Sequence, residues 1–433
     1  MAATFIRSRI ARFKSPCHSA GDFGFDYIED GVIALEQGKI LWLEPCETLR
    51  RQGFDFSACE ELENSLIMAG FVDAHVHAPQ LDVVGAYGKQ LLDWLNRYTF
   101  PAELKFADAS YSYAKNQYFV SQLLAHGTTS AMVYTTSFRH STEHLFEIAL
   151  AKNMRLLAGK VMMDRNGPSG LLDSPESAHR DCRALIEQWH QRGRLGYALT
   201  PRFSPTSSRE QLEVAGQLMQ QYPSLWLQTH LSENRDEIDW VKQLFPEAQD
   251  YLATYEHYGL VTEKSVFGHG IYLSESEMQR IAQRGASIAF CPSSNLFLGS
   301  GLFDIAGIKQ HGIKLAICSD VGGGTSLSAF KNMADAYKIC QLRGYSLNPL
   351  EAFYLSSCGA AQALHLDAFI GHLEAGYEAD FVVINADTHP FIQQRLKSCS
   401  NIEEELFVYM TCGDERLIAK TYIAGQLQYQ RAA

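Results

Sequence analysis

Two histidines that are two residues apart, His75 and His77, are the first residues in the chain whose types and spacing suggest metal chemistry. Side chains at positions i and i+2 of an extended strand leave the same face, so both imidazoles can reach one ion. His230 and Asp320 stand at the ends of later strand-like segments. Three imidazoles and a carboxylate suit Zn²⁺ or Fe²⁺ and leave one position for water. An isolated H-x-H pair is common by chance, whereas this set predicts a metal site.

Two further residues extend this set. His269 is expected to be either another metal ligand or a donor that positions a metal-bound hydroxide. Glu233 follows His230 closely and could shuttle protons, although an acid at the start of a helix more often only faces the helix dipole. Asp320 beside the metal can accept the proton of the attacking water. The predicted chemistry is hydrolysis with one metal, since Arg202 stands where some barrel hydrolases hold a lysine between two metals.

The elements that would position these residues are short apolar runs, which alternate with amphipathic stretches from Leu66 onward. This alternation is typical of βα units with a parallel sheet, and helices are predicted at 176–192 and 234–245. Eight strand-like runs favour a closed (β/α)8 TIM-like barrel over an open sheet, and the active sites of such barrels lie at the C-terminal ends of the strands. The eight runs are 66–73, 128–134, 155–164, 196–203, 225–233, 265–273, 287–295 and 314–320.

The two ends of the chain carry strand-like sequence outside this alternation. A hairpin signal lies at Gln37–Gly38, and apolar strand-like segments return near the C-terminus. Both ends are expected to build one small β-sandwich domain beside the barrel. The predicted organisation places residues 1–65 and 371–433 in the small domain and residues 66–370 in the barrel.

Composition limits the kinds of molecule that this protein is expected to bind. The formal net charge of −12 argues against a nucleic-acid backbone, which needs clustered basic residues. The ten cysteines are scattered without a C-x-x-C pair, which suits a reducing compartment rather than a disulfide framework. The sequence has neither a secretory signal nor an apolar run of membrane-spanning length. We expect a cytoplasmic protein that acts on a small molecule, with no nucleic-acid or membrane partner.

Longer segments carry a resemblance to a known family. The H-x-H pair with the later His and Asp resembles the pattern of the amidohydrolase superfamily. The resemblance extends over nearly the whole chain. LLDWLNRYTFPAE (91–103) and TPRFSPTSS (200–208) are more specific, and they resemble the guanine deaminase family within it. The other similar segments are 70–80, 160–166, 229–238 and 286–303. The sequence departs from the pattern of this family at Cys318–Ser319 and at Ala69, and neither departure replaces a metal ligand.

The resemblance implies a zinc-dependent enzyme of purine catabolism that hydrolyses guanine to xanthine and ammonia with a metal-bound hydroxide. It implies one Zn²⁺ per chain, with Fe²⁺ as an alternative, and a homodimer. Glu233 would protonate the purine ring, Asp320 would help to take the proton of water, and His269 would lie close to the metal. The implied metal ligands are His75, His77, His230, His269 and Asp320.

The same likeness implies a set of substrate contacts. An amide and a guanidinium can hydrogen-bond the oxo group and ring nitrogen of guanine, and a phenyl ring can stack on its face. Trp94 and Phe100 belong to a segment expected either to line or cover the pocket or to pack as an ordinary helix. The implied substrate-binding residues are His77, Gln80, Arg202, Phe203, His230, Glu233 and Asp320.

Three alternatives to this hypothesis differ from it in their sequence features. An aminohydrolase of a related ring, such as an oxidised purine, a pterin or a triazine, would differ at the substrate contacts. A scaffold protein that has lost catalysis would typically lack metal ligands, which are all present here. A deaminase of the H-x-E type is excluded, since His372–Leu373–Glu374 is not followed by P-C-x-x-C.

Overall fold

The computed structural model describes residues 3–15, 23–88 and 90–432, and these residues form two sheets. The strands of the first sheet pair in parallel, in an order that follows the chain. They are buried along nearly their whole length, which is why they read as continuous apolar runs rather than as alternating patterns. The strands in this sheet are β5 (Phe71–His77), β6 (Thr128–Tyr134), β7 (Arg155–Gly159), β8 (Val161–Met162), β9 (Leu195–Pro201), β10 (Trp226–Leu231), β11 (Ser265–His269), β12 (Ser287–Phe290) and β13 (Lys314–Ile317).

The sheet closes on itself between its first strand and the backbone that follows its last strand. The amide of Asp320 donates to the carbonyl of His75, and the amide of His77 donates to the carbonyl of Val321, both at 2.9 Å. Helices lie between successive strands along the chain, except between β7 and β8, which together occupy the single predicted run 155–164 and one position of the barrel. The predicted (β/α)8 barrel is therefore confirmed.

The helices connect the strands and extend beyond the barrel. The helices predicted at 176–192 and 234–245 are found as α6 and α8, and both begin with a capping box. The helices are α1 (Cys46–Arg51), α2 (Leu91–Trp94), α3 (Phe100–Leu104), α4 (Ala109–Ala125), α5 (Arg139–Ala151), α6 (Pro175–Trp189), α7 (Arg209–Gln221), α8 (Arg235–Leu244), α9 (Ala253–Glu256), α10 (Glu275–Arg284), α11 (Pro292–Phe297), α12 (Ile305–Gln310), α13 (Ala329–Leu342), α14 (Pro349–Leu355), α15 (Cys358–Ala363), α16 (Pro390–Leu396) and α17 (Ile402–Cys412). No helix among the described residues has both the length and the apolar character needed to cross a bilayer.

Two of the predicted strand runs need correction. The run 66–73 is shared between two sheets, because a strand of the small sheet ends at Ala69 and β5 begins at Phe71. A Cβ at Gly70 would lie 2.1 Å from Thr129 Oγ1, so the chain passes between the sheets where only glycine fits. The small sheet thus extends to Ala69, past the domain boundary predicted between residues 65 and 66. The run 287–295 ends as a strand at Phe290, since Pro292 begins α11.

The second sheet is built from both ends of the chain. The hairpin predicted at Gln37–Gly38 is present, and both turn residues have positive φ, 50° and 82°, as a type I′ turn requires. The seven strands form one continuous sheet, so the expected β-sandwich domain is a single sheet with apolar side chains on both faces. They are β1 (Thr4–Phe13), β2 (Phe25–Glu36), β3 (Lys39–Pro45), β4 (Cys59–Ala69), β14 (Phe381–Asn385), β15 (Ile418–Ile423) and β16 (Gln426–Gln430).

Alternating side chains divide the small sheet between two apolar clusters. Leu66 and Met68 of β4 belong to the cluster that continues into the barrel, whereas Ile67 between them belongs to a cluster of the small sheet itself. The period of two along a strand sends neighbouring side chains to opposite faces. One face of the small sheet is thereby packed against the barrel.

A cluster of ion pairs also joins the two parts of the fold. Arg194, which precedes β9, donates to Asp380 Oδ1 at 3.1 Å and also contacts Glu378. Arg155, at the start of β7, donates to Glu378 Oε2 at 2.9 Å. The side chain of Asp380 is only 2% exposed, so its charge depends on this partner.

Replacing Arg194 should test this link. In Arg194→Ala the buried carboxylate of Asp380 loses its cation, and we expect the free energy of unfolding to fall by about 3 kcal/mol or more. The measurement is urea-induced unfolding. Arg183→Ala is the control, since Arg183 forms only an exposed pair with Glu187, and its midpoint should be unchanged. Equal midpoints for the two variants would contradict the role of Arg194.

Candidate active site

The C-terminal ends of the barrel strands gather the residues predicted to bind metal. Ligand atoms of four of them lie within 4.8 Å of one another. The fifth, His77, has its Nε2 3.2 Å from Asp320 Oδ1, close to the 3.3 Å between His75 Nε2 and the same oxygen. The four are His75, His230, His269 and Asp320. The structure thus brings the whole predicted ligand set together.

The imidazoles of His230 and His269 are held in defined orientations. His230 Nδ1 lies 2.8 Å from the carbonyl oxygen of Arg202, which can only accept a hydrogen bond. His269 Nδ1 lies 3.0 Å from Asn295 Oδ1, an acceptor in the same sense. Each ring therefore carries its proton on Nδ1 and directs the lone pair of Nε2 elsewhere. His269 Nε2 is 3.7 Å from Asp320 Oδ2, which places this lone pair within the cluster.

The remaining nitrogens show that the cluster fits a cation. Both ring nitrogens of His75, Nδ1 of His77 and Nε2 of His269 are buried without a hydrogen-bond partner among the described residues. Leaving buried polar atoms unpaired is costly, and a metal ion satisfies imidazole lone pairs. Imidazole with carboxylate is a donor set for a borderline divalent cation.

The protonation states agree with metal binding. Burial lowers the pKa of His77 to about 4 and holds the pKa of His230 well below its ordinary value, so both rings are neutral. Burial acts to raise the pKa of Asp320, but the imidazoles of His75 and His77 outweigh it and hold this pKa well below its ordinary value. Neutral imidazole and ionised carboxylate are the ligand forms of these side chains.

The backbone at the cluster is strained, as is common where function dictates geometry. His269 has φ 70° and Asp320 has φ 47°, a region that non-glycine residues seldom adopt and that costs about 1–3 kcal/mol each. The hydrogen bond from the Asp320 amide to His75 holds one of these conformations. Gly268 of β11 packs directly on His75, where an added Cβ would lie 2.4 Å from Cε1 of the ring.

Glu233 occupies the cavity rather than an exposed helix start. It is 2% exposed, its Oε1 accepts from Ser300 Oγ at 3.1 Å, and its Oε2 lies 3.3 Å from His269 Nε2. Glu237, in the capping box of α8, accepts from the Glu233 amide at 3.0 Å and fixes the backbone. Burial, with a smaller effect of Asp320, raises the pKa of Glu233 to about 8. The carboxyl is therefore protonated at neutral pH and can donate a proton.

One cavity contains all the residues expected to contact substrate. Trp94 is in its wall, whereas Phe100 lines a neighbouring cavity and lies under the guanidinium of Arg202 at 5.3 Å. The expected residues in the wall are His77, Gln80, Arg202, Phe203, His230, Glu233 and Asp320. The rest of the wall is formed by Leu91, Trp94, Leu95, His269, Leu298 and Gly323.

Three residues near the site were not singled out from the sequence. Tyr134, the last residue of β6, stacks on the ring of His77 with centroids 4.4 Å apart, and its place at a strand end was a usable signal. Asn295 lies within the last part of the run 287–295 and orients His269. Glu103 accepts hydrogen bonds from both Arg202 and Gln80, and nothing in its sequence context indicates this pairing.

Comparisons with known proteins show the family to which the chain belongs. The profile of the Amidohydrolase family matches residues 66–427. The chain is 46% identical to guanine deaminase of Escherichia coli (strain K12), over 94% of this chain and 92% of the relative. The chain belongs to the guanine deaminase family of amidohydrolases.

Solved structures of such amidohydrolases share the whole fold. The structure of E. coli guanine deaminase superposes with a TM-score of 0.96 at 44% identity, over 99% of this chain and 100% of that one. Guanine deaminase from C. acetobutylicum, solved with guanine bound in its active site, gives a TM-score of 0.89 at 29% identity, over 99% and 100% of the two chains. The likeness therefore covers the barrel and the small sheet together.

The packing of Gly268 on His75 predicts that a larger residue at position 268 weakens metal binding by this amidohydrolase. In Gly268→Ala the new methyl group must displace the imidazole, and we expect metal affinity to fall by about tenfold or more. Metal content after dialysis against a weak chelator measures the effect, and thermal unfolding checks the fold. Gly170→Ala is the control, since its Cβ would meet only the flexible end of Leu104. Full metal content in Gly268→Ala would contradict this packing constraint.

Proposed function

We propose that this chain hydrolyses guanine to xanthine and ammonia, as its relatives are named for doing. The observation that supports the proposal is one cavity whose lining includes both the predicted recognition residues and part of the candidate metal cluster. The recognition residues are Gln80, Arg202 and Phe203, and Glu233 lies in the same wall as His230, His269 and Asp320. The enzyme would bind one divalent cation per chain through His75, His77, His230 and Asp320, with His269 beside it. Zinc is the proposed ion, since neutral imidazoles with one carboxylate form a typical catalytic zinc site.

The chain supplies the proton transfers that the reaction needs. When bound, a divalent cation supplies Lewis acidity, which lowers the pKa of water toward neutrality and makes a nucleophile available. Asp320 is ionised and accepts a proton from the attacking water. Glu233 is protonated and donates to a ring nitrogen as water adds to the carbon that carries the amino group. Breaking the bond from this carbon to the amino nitrogen, with proton transfer to that nitrogen, releases ammonia and leaves an oxo group.

Recognition of the base would come from the opposite wall. Gln80 and Arg202 offer hydrogen-bond donors to the oxo group and the adjacent ring nitrogen of guanine. Phe203, whose ring meets the His230 ring edge-on at 6.4 Å, would pack against the purine. The apolar wall formed by Trp94 and Leu298 limits access of bulk water.

Two further parts of the proposal concern the whole protein. We propose a cytoplasmic location, which is supported by the ten scattered cysteines of the sequence, none of which form a C-x-x-C pair. We also propose a homodimer, on the family likeness, which light scattering of the purified protein tests. The alternative of a related amino-heterocycle is not favoured, because the relatives matched at 46% and 44% identity over nearly their whole length are guanine deaminases.

Guanine turnover is the direct test. We expect the purified chain to consume guanine, followed by ultraviolet absorbance, with xanthine and ammonia as products. Prolonged chelation should abolish turnover, and about one equivalent of Zn²⁺ should restore it, because the cluster is proposed to bind one ion. Ammonia release from a triazine or a pterin, with none from guanine, would overturn the proposed substrate. Restoration by Fe²⁺ but not by Zn²⁺ would overturn the proposed metal.

Replacing Glu233 should separate chemistry from binding. Glu233→Gln retains the shape of the side chain but cannot supply the proton, so we expect turnover to fall by about 10²–10⁴-fold. Metal content and xanthine binding, measured by equilibrium dialysis, should be retained. Glu277→Gln is the control, since Glu277 is also buried but lies outside the cavity, where it caps α10 and accepts from the Leu252 amide. Turnover in Glu233→Gln close to that of the unmodified chain would exclude the proposed role.

A further inference from the structure

Glu103 is a buried carboxylate that joins two walls of the cavity without lining it. Arg202 Nη1 donates to its Oε1 at 2.8 Å and to its Oε2 at 2.9 Å. Gln80 Nε2 donates to Oε1 at 3.1 Å. Glu103 is 1% exposed, and Gln80 and Arg202 are each 2% exposed. The two side chains proposed to recognise the base therefore share one buried anion.

The charge of Glu103 provides a counter-ion for Arg202, which the substrate cannot provide. A buried guanidinium without a counter-ion is strongly destabilising, and a neutral purine cannot provide one. Arg202 faces a cavity whose opposite side is proposed to hold a divalent cation, which would repel it further. The carboxylate of Glu103 neutralises Arg202 from behind and leaves its other N–H groups available.

The same carboxylate fixes the orientation of the Gln80 amide. A carboxylate accepts and a backbone amide donates, so Nε2 of Gln80 faces Glu103, while Oε1 accepts from the Gly322 amide at 3.3 Å. The amide oxygen is thereby engaged with the backbone, and a second N–H of Nε2 remains. Gln80 and Arg202 consequently present donors, which suit an acceptor edge of a base and not an amino group.

Glu103 is also connected to the cavity through the chain segment in which it lies. It lies in α3, which follows α2 (Leu91–Trp94) and a single π-helical turn, Leu95–Thr99. Leu91, Trp94 and Leu95 from this stretch form part of the cavity wall. One short segment thus supplies both an apolar wall and the anion that orients the polar wall.

We propose that Glu103 is a positioning residue that determines the selectivity of this site for bases with an oxo acceptor next to a ring nitrogen. It acts by holding Arg202 and Gln80 as hydrogen-bond donors and does not itself touch the base. The proposal rests on the proposed function, since it concerns recognition at that same site.

Competitive inhibition of guanine turnover tests the proposal with two probes. Hypoxanthine carries the oxo group, and unsubstituted purine lacks it. In Glu103→Gln we expect the inhibition constant of hypoxanthine to rise by about tenfold or more, because hydrogen bonds to charged groups are lost, and that of purine to change by less than about threefold. The KM for guanine should rise in parallel with the constant for hypoxanthine.

Two further variants separate positioning from a merely structural role. Glu351→Gln is the matched control, since Glu351 is 2% exposed and paired with Lys309 outside the cavity; its ratio of hypoxanthine to purine affinity should be unchanged. Combining Glu103→Gln with Arg202→Lys should reduce this ratio by less than the product of the two single effects, because Glu103 acts in part through its contact with Arg202. Glu103→Asp, which retains the charge on a shorter side chain, should lose less selectivity and serves if Glu103→Gln does not fold.

The possible outcomes distinguish this inference from the function on which it rests. An equal loss of affinity for hypoxanthine and purine in Glu103→Gln, or effects of Glu103→Gln and Arg202→Lys that simply add, would overturn the positioning role. An unmodified chain that yields no xanthine from guanine would overturn the proposed function and this inference with it. A selective loss for hypoxanthine, absent from Glu351→Gln, supports both.

Discussion

The site depends on how the barrel closes. The hydrogen bonds from Asp320 to His75 and from His77 to Val321 join the end of the sheet to its beginning. The same backbone groups carry the two histidines of the first strand and the carboxylate that follows the last. The hydrogen bonds that close the sheet therefore also hold the candidate metal ligands close together. One of these bonds is donated by the amide of Asp320, whose φ of 47° is unusual for a non-glycine residue.

Burial then gives similar side chains different chemical roles. Both Glu233 and Asp320 are removed from water, yet their pKa values move in opposite directions. Asp320 faces the imidazoles of His75 and His77, which stabilise its charge and lower its pKa. Burial and the nearby charge of Asp320 raise the pKa of Glu233, and they outweigh the hydrogen bond from Ser300. One cavity consequently holds a proton acceptor and a proton donor at neutral pH, a division that acid–base catalysis requires.

The two sides of the cavity are built in different ways. The metal-binding side consists of strand ends, where β-sheet hydrogen bonds determine each backbone position. The recognition side depends on α2, the π-helical turn and α3, whose apolar residues form a wall and whose Glu103 orients Arg202. The groups proposed to react therefore lie on or just after sheet strands, whereas the proposed recognition of the base depends on a segment of short helical turns.

The sequence by itself determined the repeating βα pattern, the barrel and the strand ends at which His75, His230 and Asp320 stand, because periodicity and burial are local properties of the chain. It also indicated a small domain from both ends of the chain. The predicted strand boundary was wrong at Gly70, where one apolar run contributes strands to both sheets. Only the tertiary structure decided that Glu103 pairs with Arg202 and Gln80 and that Asn295 orients His269. Such contacts join distant segments, and side-chain hydrogen bonding leaves no periodic trace in a sequence, so only the folded chain reveals them.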